Sequence, residues 1–181
     1  MPHIDLLELP YFEGISMDEL VSLVDLMRPV QFQAGDVIVR EGGESPQALF
    51  IATSGRILIE KRGRDGADRS LAELSAPTLF GEIELFCQIP PVCTSKAVSK
   101  VAAFTLGRPA FDELFAKGHP ALLRFTFNVA RVACHRLAIA DEMLAQVLTG
   151  DDLIKLRQAV FARMDPDDRA GRTTGSFRRP G

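Results

Sequence analysis

Between residues 30 and 106 the chain never runs far without a turn. "AGD", "GGESP", "SGR" and "RGRDGAD" interrupt short apolar runs rich in β-branched residues. Runs this brief cannot hold helices of ordinary length, and their alternation suits half-buried strands. The spacing predicts strands over about 30–32, 37–40, 48–53, 56–61, 70–74, 94–98 and 101–105. Seven or eight strands with few helices between them point to an antiparallel sandwich or jelly roll.

Helical patterns flank this block. Ser16-Met17-Asp18-Glu19 has the S-x-x-E form of a capping box, and Leu20, Leu23, Val24 and Met27 follow at three- and four-residue steps. A short helix is predicted over 109–115. A long one follows from about 120 to 148, with Pro120 in its first turn. Its apolar positions include Leu122, Leu123, Val129, Val132, Leu137, Ala140, Met143, Leu144 and Val147. They span more than one narrow stripe, so this helix is expected to contact both its own roll and something else. "TGDDLIKLRQAVFARMD" reads as a last helix over 149–165, with Asp151 or Asp152 near its cap. Residues 166–181 read as a disordered basic tail.

The length suits one domain with a real core, placed here over 1–148. No apolar run reaches membrane-spanning length, and the start "MPHIDLLELP" lacks a signal-peptide layout, so a cytoplasmic protein is expected. Cys87, Cys93 and Cys134 form an odd set without a CxxC pair, which suits reduced thiols. Net charge is −3, but Arg169, Arg172, Arg178 and Arg179 crowd into the last 13 residues. Without them, 17 basic residues face 24 acidic ones, a body near −7 that will not attract nucleic acid by charge. The tail itself has a charge suited to tethering on an acidic partner or membrane surface, or to simple solvation. His3, His119 and His135 show no metal spacing, and no G-x-S-x-G, P-loop or H-E-x-x-H occurs, so no enzyme activity and no metal site are expected.

Three segments carry a resemblance. "FQAGDVIVREGG" matches an F-x-x-G-x-x-I-x-x-x-G pattern at Phe32, Gly35, Ile38 and Gly42. "ALFIATSGRILIE" matches an aromatic-x-I-x-x-x-G-x-V-x-V pattern at Phe50, Gly55, Ile57 and Ile59. "LFGEIEL" opens like a phosphate-binding cassette. In this order and spacing they resemble the cyclic-nucleotide-binding domain family, over about residues 8–148. The resemblance implies a jelly roll with an N-terminal helix and a long C-terminal helix. Gly81 would let backbone approach a ligand, and Glu82 would accept the ribose 2′-hydroxyl of cAMP or cGMP.

The cassette then departs from the family. Within Phe80, Gly81, Glu82, Ile83, Glu84 and on through Pro91, Val92, Cys93 and Thr94, no cation occurs before Lys96. The family places an arginine about nine residues after its glutamate, against the cyclic phosphate, and Pro91 stands there. Glu84 occupies a position that is usually small. Loss of a charge-assisted hydrogen bond to the phosphate costs roughly 1.5–3 kcal/mol, one to two decades of affinity. Lys96 restores a cation only if it points inward, and alternation ties its direction to that of Thr94. Arg131 and Arg136 on the long helix offer a second source, or are solvated.

Two functions remain open. One is an interaction protein on this fold with lost or weak nucleotide binding, working through an unidentified protein partner and dimerising by the long helix. The other is a small-ligand sensor that signals to a partner. Too few residues follow 148 for a winged helix-turn-helix, so no DNA-binding module is expected.

Overall fold

The computed structural model describes residues 6–44 and 47–163, so the tail read at 166–181 lies outside the described residues. Two compact units divide the chain, the first through Val132 and the second from Ala133.

In the first unit, a 3-10 turn at Pro10–Phe12 leads to helix α1 (Met17–Val24). Its start is the capping box expected from the sequence. The Ser16 hydroxyl accepts from the Glu19 N–H, and the Glu19 carboxylate accepts from the Ser16 N–H at 2.9 Å. Strands β1 (Arg28–Phe32), β2 (Val37–Val39), β3 (Ala48–Ser54), β4 (Arg56–Arg62), β5 (Asp68–Ser75) and β6 (Thr78–Phe80) follow. Then come the short helix α2 (Glu82–Cys87), strands β7 (Thr94–Ala97) and β8 (Val101–Gly107), and helices α3 (Arg108–Ala116) and α4 (Pro120–Val147). Helix α5 (Gly150–Arg163) belongs to the second unit. The sequence signalled every strand except β6, which sits directly before the cassette turn and follows β5 too closely to read as a run of its own. The last helix begins just after Thr149, with Asp151 and Asp152 in its first turn near the cap, as expected.

The strands form two four-stranded antiparallel sheets, in the orders β1-β8-β3-β6 and β2-β7-β4-β5. This is the expected jelly roll. Strand β3 shows why it holds. Ala48, Phe50 and Ala52 face the interior between the sheets, where they meet Val39, Ile57, Phe80, Ala97 and Val101. The alternate residues Leu49 and Ile51 join a second cluster with Phe12, Leu20, Leu23, Leu106, Leu122 and Phe125. A strand covered on both faces needs a continuous apolar run, which "ALFIA" provides. Each large side chain so buried contributes on the order of 1.5–3 kcal/mol.

Helix α4 meets the second cluster through Ala121, Leu122, Phe125, Asn128 and Val129, a single helical stripe. The buried Asn128 amide donates to the carbonyls of Tyr11 and Glu13 at 3.1 and 2.9 Å, fixing the turn that precedes α1.

Candidate functional site

The cassette occupies α2 and the segment that returns to β7. Phe80 closes β6 and stacks on Phe50 at 5.0 Å, while Phe32 meets Phe50 edge-on at 6.2 Å. These rings floor the cassette from inside the roll. Gly81 then takes φ +81°, and a Cβ there would sit 2.4 Å from the Ala48 carbonyl oxygen. Only glycine combines that left-handed backbone with so close an approach to β3. Glu82 opens α2 half-buried, Ile83 faces solvent, and Glu84 and Leu85 turn inward.

Glu84 is buried, and its carboxylate does not stand idle. Its Oε1 accepts the backbone N–H of Val92 at 3.1 Å. On the sequence alone this residue reads as a negative neighbour for a phosphate. In the folded chain it binds an amide on the returning segment, beside the place where the family's arginine would lie.

Other groups of that segment also find partners within the chain. Pro91 is buried, and its carbonyl accepts the N–H of Gly42 at 2.9 Å. The Val92 carbonyl accepts from Lys61 Nζ. The Thr94 hydroxyl accepts the Glu41 N–H at 3.0 Å. Glu41 in turn pairs with Lys61 at 2.7 Å and takes the Arg62 N–H at 2.8 Å. Lys61, with help from Arg62, holds the Glu41 carboxyl below the usual carboxylate range. Burial pushes the Cys93 thiol up, which disfavours a nucleophilic thiolate. At the other end, Arg108 donates to the Leu85 carbonyl at 2.9 Å.

Lys61 and Arg108 therefore both reach the cassette, and both are engaged by its carbonyls. Neither was singled out from the sequence. Arg108 follows β8 and carries no local signal. Lys61 had one, since it continues the inward register of Ile57 and Ile59 on β4.

Lys96 lies elsewhere. Along β7, Ser95 and Ala97 are buried while Thr94 and Lys96 share the opposite face. Lys96 there borders a groove of about 430 Å³ with Val37, Arg40, Glu60, Arg62 and Asp68, which reaches the cassette segment at Glu41 and Thr94. Arg131 pairs with Glu13, in the turn before α1. Among the described residues no group of His, Cys, Asp and Glu is placed to hold a metal, and no helix is long and apolar enough to cross a membrane.

Comparison with known proteins adds the lineage. Residues 29–117 match the family described as cyclic nucleotide-binding domain. Over 140 residues the chain is 26% identical to a CRP-like cAMP-activated global transcriptional regulator from Mycobacterium tuberculosis, covering 77% of this chain and 60% of that protein. The chain thus spans less than two thirds of that relative. The Thermus thermophilus catabolite activator protein superposes with a TM-score of 0.70 at 25% identity, over 77% of this chain and 63% of that one. A regulatory subunit of a cAMP-independent protein kinase A from Trypanosoma brucei superposes at 0.61, with 24% identity, over 72% and 45%. That protein carries three substitutions, Glu to Ala, Thr to Arg and Val to Ala, and is bound to cAMP in its A site.

Proposed function

We propose that this chain, whose residues 29–117 belong to the cyclic nucleotide-binding domain family, is a non-enzymatic regulatory protein that works through protein–protein contacts and has lost useful binding of cAMP and cGMP. The observation that carries this reading is the Glu84 carboxylate on the Val92 N–H. An anion already sits against the returning segment, and the neighbouring carbonyls and hydroxyl have partners within the chain. A cyclic phosphate entering here would have to displace a buried carboxylate and would find Pro91 where a cation is needed.

The Trypanosoma protein supports the same reading. Its three substituted positions are separated by seven and eight residues from the first. Glu84, Pro91 and Val92 have that same spacing, and the residues introduced there are Ala, Arg and Ala.

Phe80, Gly81 and Glu82 keep the turn of a working cassette, and they favour the second reading, a nucleotide sensor. Calorimetric titration of cAMP and cGMP into the purified chain separates the two. The expected result is no binding tighter than about 10 µM. Tighter binding that Glu82→Ala abolishes overturns the proposal.

The chain is also proposed to act in the cytoplasm as a dimer through α4. Leu123, Phe127, Leu137, Met143 and Val147 stay exposed along that helix, more apolar surface than a lone solvated helix carries.

A further inference from the structure

The second unit holds α4 from Ala133 onward and α5. Helix α5 folds back along α4, and Arg157 donates to the Asp141 carboxylate at 2.8 Å across sixteen residues. The turn between them is capped, with Thr149 Oγ1 hydrogen-bonded to the Asp152 carboxylate at 2.7 Å and the Leu153 N–H donating to the Thr149 carbonyl at 2.9 Å. Yet from Ala133 to Val160 no residue is buried, and only Asp141, Leu148 and Leu153 are half-buried. Two helices that share no core do not repay the entropy of ordering them.

Five of the exposed large apolar residues fall on one side of the hairpin, while Ile139, Met143 and Ile154 lie off it. At 3.6 residues per turn, Leu137, Ala140, Leu144 and Val147 flank the line through Asp141 and Leu148 on one side. Leu156 and Val160 flank the line through Leu153 and Arg157. Because the helices run antiparallel, those two flanks fall on the same side of the hairpin. The other flank of α4 carries the small residues Cys134, Ala138 and Ala145. The apolar arc of α4 thus covers roughly half its circumference, wider than the two-per-heptad seam of a two-stranded coiled coil.

We infer that a second copy of this chain covers that face, so that two α4–α5 hairpins close into a four-helix bundle. This rests on the reading that the chain dimerises through α4, and deepens it by making α5 half of the interface. Charge favours a second copy as the occupant. The Asp141–Arg157 pair is closed within one hairpin, so the face has no net charge calling for an opposite partner. A leucine and valine surface is its own complement across a twofold axis. Area agrees: Leu137, Leu144, Val147, Leu156 and Val160 are 64, 38, 82, 38 and 51% exposed. That is on the order of 500 Å² per copy and about 1,000 Å² in the pair, the lower bound for a specific interface.

Sedimentation equilibrium of the full chain from one to a hundred micromolar tests this. The wild type is expected as a dimer. Leu156→Glu and Val160→Glu, both on α5, are expected to weaken it at least tenfold without moving the melting point of the roll. Leu156→Ala, which keeps helix propensity, should weaken it severalfold with unchanged circular dichroism. A dimer that ignores all three variants but is broken by Leu137→Glu overturns the bundle and leaves dimerisation through α4 alone. A wild type that stays monomeric overturns both.

Discussion

The cassette and the α4–α5 hairpin fail to be ordinary in opposite ways. The cassette is a segment several of whose polar groups find partners inside the chain: Glu84 for the Val92 amide, Lys61 for the Val92 carbonyl, Gly42 for Pro91 and Glu41 for Thr94. The hairpin is an apolar segment that finds almost none, with nothing buried over 28 residues from Ala133 to Val160. A region satisfied from within has little to gain from a ligand, and a region left uncovered has much to gain from a neighbour. On the proposed reading, the contrast assigns the protein's contacts with partners to the hairpin and not to the cassette.

The widest gap between the two regions should appear on adding one methyl group to each. Gly81→Ala forces a left-handed alanine, at about 1–2 kcal/mol, and pushes its Cβ into the Ala48 carbonyl. A total near 3 kcal/mol lowers the roll's melting midpoint by roughly 6–12 °C. Gly150→Ala has an open position and ordinary φ, so calorimetry should find the midpoint unchanged or slightly higher. Equal losses at both positions would break the contrast.

Next in size is reopening the cassette. Glu84→Ala with Pro91→Arg removes the internal anion and returns the cation, and Val92→Ala extends the repair. Titration of cAMP should show affinity rising by about one to two decades over the wild type, roughly 1.4–2.8 kcal/mol. No gain in any combination would mean that the closure lies in the backbone path and not in these side chains.

The smallest effect concerns Glu41. Its lowered carboxyl value means that its contribution to stability is fully present above about pH 4.5 and is lost as the pH falls through that lowered value. Glu41→Gln should therefore melt earlier than the wild type at pH 7, by a degree or two since the pair is solvated. The two curves should converge once the pH has fallen below that lowered value. A difference that persists in acid would assign the effect to packing.

Much of this was legible before folding because it is local. The capping box at Ser16, the strand alternation and the Phe80-Gly81-Glu82 turn all depend on residues a few positions apart. The partners of the cassette are not local. Lys61 stands 31 residues from Val92, and β4 meets β7 only through sheet pairing. Glu84 looked like a repulsive neighbour because spacing shows that a charge is present and not what it bonds. The face occupied by Lys96 follows from Ser95 and Ala97 being buried, a fact about the whole sheet.

One consequence follows from the bond between Glu84 and Val92. On the proposed reading, the pocket behaves as a receptor that carries its own messenger, tethered at an effective concentration no diffusing nucleotide can match. Such a receptor has no dose–response curve. Its occupancy is constant, and what its partners sense is how many copies of the chain are present.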